Sequence, residues 1–213
     1  MRDKVIIYSG GMDSTVLLYK YASEIALAIS FDYGSKHNDM EFSYAKKNTD
    51  KLGIKHIRLS LPFINQFFKS DLLKSGGDVP KGHYEDMSMK RTVVPFRNGI
   101  MLSIAAGIAE SIGCKSVLIA NHGGDHFIYK DCRDEFIKSM SHSISLGTDT
   151  EVVIEAPYTH YSKRDIALEG RDLNVDFSLT YSCYNGEEFH CGVCGTCVER
   201  KEALEDFDTT IYK

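Results

Sequence analysis

Four cysteines near the end of the chain have the spacing of a metal site. Thiolates this close in sequence can converge on one tetrahedral zinc ion, and four of them leave no open position for a bound water. A redox pair or an iron–sulfur cluster would use similar residues, but no other feature of the sequence indicates electron transfer. We therefore predict one structural zinc ion per chain. Its predicted ligands are Cys183, Cys191, Cys194 and Cys197.

A glycine pair near the start of the chain has the features of a phosphate-binding loop. The string S-G-G-M-D-S-T covers residues 9–15 and directly follows a short apolar run. The glycines let the backbone approach an anion closely, and the amides and hydroxyls of a helix start can donate to phosphate oxygens. A tight turn with Asp13 or Ser14 as a helix cap is the simpler alternative. The residues predicted to bind ATP are Ser9, Gly10, Gly11, Asp13, Ser14 and Thr15.

Asp13 stands out within this loop because a carboxylate repels phosphate. A cation between the two groups would remove the repulsion, so we predict that Asp13 positions Mg²⁺. Asp13 and Ser14 are also the predicted catalytic residues of the loop, because contacts at a phosphate-facing helix start can stabilise a transition state.

The elements that must position these residues alternate between strands and helices. Apolar β-branched runs predict strands at 4–8, 25–31, 55–60, 115–121 and 152–156. Helices are predicted from residue 13 and at 38–52, 62–69, 98–111, 134–145, 162–173 and 198–207, and a polar, mobile loop at 76–91. This alternation is typical of an α/β fold with an open, parallel, five-stranded, Rossmann-like sheet covered on both faces.

The carboxyl ends of parallel strands are the expected position of a ligand site. The glycine-rich string follows the first predicted strand, and Asp32 follows the second, so Asp32 is a further candidate for nucleotide binding. We predict an α/β nucleotide-binding domain at 1–178 and a zinc-binding segment at 179–213.

Composition narrows the classes of function. The chain has 213 residues, of which 43% are hydrophobic and 26% charged, as in ordinary globular proteins. Its formal net charge of −5 argues against a protein whose main task is to hold a nucleic-acid backbone. No apolar run reaches the length of a signal peptide or a membrane span. We expect a cytoplasmic protein with no membrane contact.

The S-G-G-x-D-S-T string resembles the PP-loop ATP pyrophosphatase family. Further strings are similar to one branch of it, the family of 7-cyano-7-deazaguanine synthases, from about residue 4 to residue 206. They are F-D-Y-G-S-K-H at 31–37, V-P-F-R-N at 94–98, the segment 124–136 and S-C-Y at 182–184 with the cysteine cluster. The chain departs from this family at Ser35-Lys36, where relatives often have Gln-Arg, and at Lys130, where a proline is usual.

The resemblance implies a sheet like that of the adenine nucleotide alpha hydrolases and cleavage of ATP between its α and β phosphates. The implied substrates are 7-carboxy-7-deazaguanine and ammonia. Adenylation of the carboxylate, attack by ammonia, and a second adenylation of the amide would lead to the nitrile. The resemblance also implies a ligase that forms C–N bonds, a homodimer, and no direct contact with nucleic acid.

Several side chains are candidates for this chemistry. Lys163, after the fifth predicted strand, is expected to neutralise phosphate charge, and Arg97 to pair with phosphate or with the substrate carboxylate. A solvated lysine and an exposed ion pair are the simpler alternatives. Candidates for substrate binding are Lys36, His37, Asp131 and Arg133, and His122 and His126 are candidates for proton handling or for the wall of the site.

Three rival functions remain open at this stage. A tRNA-thiolating PP-loop enzyme would share the ATP site but needs a reactive thiol, for which Cys132 beside Arg133 is the best candidate. A synthase-like enzyme could act on another carboxylate. A nucleotide-binding regulatory module would not turn over, but it would be expected to have a damaged glycine loop.

Overall fold

The computed structural model describes residues 2–83 and 87–213. Five parallel strands form one sheet in the order β3-β2-β1-β4-β5. The strands are β1 (Lys4–Ile7), β2 (Ile25–Asp32), β3 (Lys55–Ser60), β4 (Ser116–Leu118) and β5 (Val153–Glu155). The predicted α/β class with a parallel five-stranded sheet is confirmed, although β4 and β5 are shorter than predicted.

Seven α-helices connect and cover the strands within the described residues. They are α1 (Met12–Lys20), α2 (Asn38–Leu52), α3 (Pro62–Phe67), α4 (Arg97–Ser111), α5 (Asp134–Gly147), α6 (Lys163–Asp172) and α7 (Gly195–Leu204). Each lies within a few residues of a predicted helix. None of the helices in these parts of the chain is long and apolar enough to cross a membrane.

Side chains that alternate along the strands build a core on each face of the sheet. Val5 of β1 packs in the cluster that contains residues of α4 and α5. Its neighbour Ile6 packs on the opposite face, against α1, α6 and the end of α7. Because both faces are covered, the central strands β1 and β2 are largely apolar, which is the pattern of a buried parallel sheet. The edge strand β3 is more polar and partly exposed.

The predicted loop at 76–91 is only partly irregular. Residues 84–86 lie outside the described residues, but Met87–Thr92 forms a 3-10 helix. Met89 is fully buried with Ile128 and Tyr129, and Thr92 Oγ1 lies 2.9 Å from Tyr129 Oη. The prediction of a polar loop was wrong for this part, because one methionine and one threonine hold it against the segment after β4.

The segment after α6 packs back on the sheet domain. Ala203 and Leu204, at the end of α7, are buried in the core beside α1 and α6. Arg200 of the same helix is fully buried and donates to the carbonyl oxygen of Phe177 at 2.7 Å. The boundary at 178/179 stays a prediction, but these contacts fix the position of α7 against the sheet.

Candidate functional site

A cavity of about 230 Å³ lies at the carboxyl ends of β1, β2 and β4. The sequence placed the ligand site at this edge of the sheet. Eight predicted site residues line the cavity, namely Ser9, Gly11, Asp13, Ser14, Asp32, His37, Arg97 and Lys163. Residues of the C-terminal segment, including Ser182, Tyr184 and Thr196, complete its wall.

The glycine loop between β1 and α1 lines one end of this cavity. Gly10 has φ of +84°, and a Cβ atom there would lie 2.5 Å from the carbonyl oxygen of Glu41. Ser9 Oγ accepts a hydrogen bond from the Gly11 amide at 3.1 Å and lies 3.1 Å from Ser14 Oγ. No side chain caps α1 at Gly11, so the simpler alternative of a capped turn does not apply. Uncapped amides at a helix start are a site for anions.

Lys163 meets two carboxylates at the edge of the loop. Its Nζ atom lies 3.2 Å from Asp13 Oδ2 and 2.8 Å from Glu199 Oε2. Burial alone would lower the pKa of Lys163, but the charges of Asp13 and Glu199 more than offset this and raise it. Lys163 is therefore a fixed cation beside the glycine loop.

Glu199 was not predicted from the sequence. It lies on α7, two residues after Cys197, and its side chain is only 14% exposed. Its burial raises the pKa of the carboxyl group, an effect that Lys163 opposes. An acidic residue on a helix normally faces water, so the sequence carries no signal for this contact other than proximity to the cysteine cluster.

His122 lies close to Asp13 and Glu199, the two carboxylates that bind Lys163. Its Nδ1 atom accepts from the Gly124 amide at 3.1 Å, so the ring proton is on Nε2. Nε2 lies 3.9 Å from Asp13 and Glu199 and 3.7 Å from Asp125. His122 is therefore buried and faces three carboxylates, but it does not line the cavity.

Arg97 marks the other end of the cavity. It donates to Tyr33 Oη at 3.3 Å, and no carboxylate in the described parts of the chain forms an ion pair with it. Burial raises the pKa of the nearby Glu41 to about 8, against the opposing charge of Arg97. Burial, with Arg97 acting in the same direction, lowers the pKa of His37 to about 4. At neutral pH this end therefore contains one cation and two neutral groups.

Five of the residues predicted for catalysis, ATP binding or substrate binding do not line the cavity, and neither do the candidates His122 and His126. Gly10 packs against α2, and Thr15 Oγ1 is buried 3.1 Å from Tyr8 Oη. Lys36 donates to the carbonyl oxygens of Asp71 and Gly77. The other two are Asp131, whose carboxylate accepts from the Asn98 amide at the start of α4, and Arg133, which donates to the His126 carbonyl oxygen. Their predicted roles in binding stay predictions.

Cys132 does not have the properties expected of a reactive thiol. It is 3% exposed, and burial raises its pKa well above the ordinary value, reinforced by Asp125 and Asp131. Arg133 is directed at a backbone carbonyl, as described above, and does not activate the thiol. The expectation that a neighbouring cation favours the thiolate was wrong, because adjacency in sequence did not bring the two side chains together.

The four predicted zinc ligands converge. Their sulfur atoms all lie within 4.8 Å of one another. A tetrahedral zinc ion with bonds of about 2.3 Å requires sulfur–sulfur distances of roughly 3.8 Å, and Cys191 and Cys197 are 3.9 Å apart. The Cys194 amide donates to Cys191 Sγ at 3.3 Å, the kind of contact that orients a thiolate ligand. This donor set fits a closed structural zinc site.

The fold and the site define a class of protein, the α/β proteins with a parallel sheet and a ligand cavity at its carboxyl edge. The structure of NMN synthetase from Francisella tularensis has this fold, with a TM-score of 0.54 at 15% sequence identity. The match covers 88% of this chain and 68% of that chain. At this identity the likeness concerns the fold alone.

The chain belongs to the family described as queuosine biosynthesis protein QueC, whose sequence model matches residues 3–208. Relatives named 7-cyano-7-deazaguanine synthase align over nearly the whole chain. The relative from Porphyromonas gingivalis is 58% identical, covering 96% of this chain and 93% of its own length. The relative from Desulfotalea psychrophila is 52% identical, and the alignment covers 100% of this chain and 99% of that relative. The resemblance found in the motifs is confirmed.

Proposed function

We propose that the protein is a 7-cyano-7-deazaguanine synthase, an ATP-dependent ligase that converts 7-carboxy-7-deazaguanine and ammonia to the nitrile. The observation that carries this proposal is a single cavity with a phosphate loop and Lys163 at one end and Arg97 at the other. Membership of the family and the names of the relatives support the same reaction.

ATP binds at the glycine loop in this proposal. The uncapped start of α1 and the hydroxyls of Ser9 and Ser14 donate to its phosphates, and Lys163 neutralises their charge. Asp13 has one oxygen, Oδ1, that is buried without a hydrogen-bond partner among the described residues. This oxygen fits a Mg²⁺ ligand, and the ion would offset phosphate charge when bound.

The acceptor carboxylate binds at Arg97. Within the described residues Arg97 forms no direct ion pair, although the charge of Asp131 acts on it. A carboxylate ligand would pair with its guanidinium directly and in bidentate geometry. The protonated Glu41 and the neutral His37 beside it do not repel this ligand. Tyr33, Tyr129 and Tyr184 line the same end and offer flat apolar surfaces to a purine-like ring.

The proposed reaction joins the ATP bound at the glycine loop to the carboxylate bound at Arg97. The substrate carboxylate attacks the α-phosphorus of ATP, pyrophosphate leaves, and an acyl-adenylate forms. Ammonia attacks the acyl carbon and displaces AMP, which gives the amide. The amide oxygen attacks the α-phosphorus of a second ATP, and pyrophosphate and one N–H proton leave. Loss of AMP with the second N–H proton then gives the nitrile. Each adenylation releases one pyrophosphate beside Lys163, where its charge is best stabilised.

A mass-spectrometric assay with ATP, ammonia and 7-carboxy-7-deazaguanine tests this function. We expect the nitrile with AMP and pyrophosphate as co-products. ADP and phosphate with no AMP would contradict adenylation, and AMP without the nitrile would point to another acceptor. Incorporation of sulfur into tRNA would favour the thiolating rival, which the buried, poorly acidic Cys132 opposes.

The homodimer is a further part of the proposal and rests on the family resemblance. Light scattering coupled to size-exclusion chromatography measures the mass in solution. A mass of one chain, 23.9 kDa, would contradict the dimer.

A further inference from the structure

The helix that leads out of the cysteine cluster also reaches the proposed ATP site. Cys194 directly precedes α7, Cys197 lies in its first turn, and Glu199 follows half a turn later. The Glu199 carboxylate is 2.8 Å from Lys163 Nζ, and its second oxygen is 3.9 Å from His122 Nε2. One short helix thus carries a ligand of the metal site and a carboxylate of the cavity edge.

Both partners of this ion pair have fixed backbones. Lys163 is the first residue of α6, where Ser162 and Asp165 form a reciprocal capping box. Glu199 precedes Arg200, whose guanidinium donates to Phe177, Thr180 and Ser182. Two helix starts, one capped and one anchored by buried hydrogen bonds and cysteines, therefore set the position of the ammonium group.

Lys163 is shared between Glu199 and Asp13. The Asp13 carboxylate lies on the glycine loop, where the proposed Mg²⁺ would compete with the ammonium group for it. Glu199 makes no such contact with the loop. If Asp13 binds the metal ion, Glu199 still holds Lys163 by a direct contact of 2.8 Å, and the charge of Asp125 adds to its effect.

We propose that Glu199 is a positioning residue that holds Lys163 at the phosphate loop, which makes the cysteine-bearing helix α7 a working part of the ATP site. This inference rests on the proposed function for its assay. It assigns Glu199 no contact with the reacting atoms, because the residue acts through Lys163.

A double-mutant cycle tests the proposal with Glu199→Gln, Lys163→Met and the double variant. Glutamine keeps the shape and an acceptor but removes the charge. We expect Glu199→Gln to lower kcat about tenfold or more, while KM for 7-carboxy-7-deazaguanine changes less than about twofold. In the Lys163→Met background the same change should cost less than about twofold, because the group it positions is absent.

Two further variants complete the design. Glu202→Gln is the matched control, since Glu202 lies on the same helix but is exposed and should leave activity unchanged. Glu199→Asp keeps the charge on a shorter side chain, and we expect an intermediate kcat. If Glu199→Gln loses zinc or its native circular dichroism, Glu199→Asp replaces it in the cycle.

The affinity of the same four proteins for MgATP is also measured by calorimetry, which does not require the acid substrate. A wild-type protein that binds MgATP but forms no nitrile would contradict the proposed function alone. Equal effects of Glu199→Gln with and without Lys163, or an unchanged kcat and MgATP affinity, would overturn the role of Glu199.

Discussion

At the scale of single residues, burial sets the charge of the groups around the cavity. Arg97 stays cationic, Glu41 stays protonated because burial raises its pKa to about 8, and burial lowers the pKa of His37 to about 4. This end of the cavity thus carries the positive charge of Arg97 at neutral pH, and within the described residues Asp131 acts on that charge without forming an ion pair with it. In the proposed function this guanidinium binds the substrate carboxylate, because the phosphates of ATP are expected at the glycine loop.

Arg97→Met should weaken binding of the substrate carboxylate and leave the nucleotide in place. A hydrogen bond to a charged group contributes about 1.5–3 kcal/mol, so kcat/KM for the acid should fall by roughly 10- to 150-fold. KM for MgATP should change little, and Arg97→Lys should be intermediate because it lacks the bidentate geometry. Steady-state kinetics with each substrate varied separately measures both effects.

The matched control for this variant is Arg171→Met, which removes an exposed arginine paired with Asp172. It should behave as the wild type. A rise in KM for MgATP with an unchanged KM for the acid would assign Arg97 to phosphate instead.

Glu41 predicts a pH dependence of stability. Its folded pKa lies above the ordinary value of 4.5, so the native state holds a proton that the unfolded chain releases. The stabilisation is present below pH 4.5 and is lost as the pH rises towards 8. Glu41→Gln should remove this contribution, which is on the order of several kcal/mol between the two limits.

Urea unfolding of wild type and Glu41→Gln across this pH range measures the difference. We expect the free energy of unfolding of the wild type to fall relative to the variant as pH rises. His37 has the opposite sign, since its lowered pKa costs stability as pH falls below 6.5 towards 4. Its Nε2 atom lies 3.7 Å from Glu41 Oε2, so His37→Gln and the double variant are measured as well to separate the two contributions. The exposed Glu188→Gln is the control, and a parallel pH profile for wild type and Glu41→Gln would contradict the assignment.

At the scale of elements, the site is built from the ends of helices and strands. α1 begins at the glycine loop, α4 begins at Arg97, and α6 begins at Lys163. The sequence predicted these elements because apolar runs and glycine turns are local signals. It placed the start of α7 at 198 instead of 195, because the cap there is a cysteine and not a polar capping residue.

Gly10→Ala tests whether the glycine loop needs close contact with α2. The new Cβ would lie 2.5 Å from the Glu41 carbonyl oxygen and 2.7 Å from the Ala45 amide, so the loop must move. We expect a loss of about 1–3 kcal/mol in the free energy of unfolding and a marked loss of MgATP affinity.

Gly53→Ala is the control because it separates strain from steric contact. Gly53 also has a positive φ, +62°, but nothing lies within 4 Å of its missing Cβ. This variant should lose about 1 kcal/mol and keep full MgATP affinity. Equal losses in both variants would show that the contact with α2 does not position the loop.

At the scale of the whole molecule, the site depends on contacts between distant parts of the chain. The sequence predicted Asp13 and Lys163 separately, since each follows a strand, and the parallel sheet brings them together. It did not predict Glu199, because that contact depends on how α7 packs against α6. It also assigned Lys36 and Asp131 to the substrate, which stays a prediction. In the structure both side chains bond to backbone groups, which sequence position alone does not reveal.

The zinc ion should control the order of the C-terminal segment but not the folding of the sheet. Zinc binding contributes on the order of 10 kcal/mol in small zinc peptides, comparable to the total stability of a domain, about 5–15 kcal/mol. Here the two cores on the faces of the sheet are built largely from residues before the cysteine cluster. Loss of the metal therefore leaves most of the buried apolar surface in place.

Cys194→Ser tests this division. We expect about one zinc per chain in the wild type by elemental analysis and none in the variant, because the closed site loses a ligand. The variant should keep its helical and sheet circular dichroism and become sensitive to limited proteolysis at about residues 180–207. Its affinity for MgATP should fall less than its kcat. Cys114→Ala, a buried cysteine outside the cluster, should keep its zinc. Active wild-type protein without zinc, or with iron and visible absorbance, would contradict the assignment of the metal, and global unfolding of Cys194→Ser would contradict the independence of the sheet.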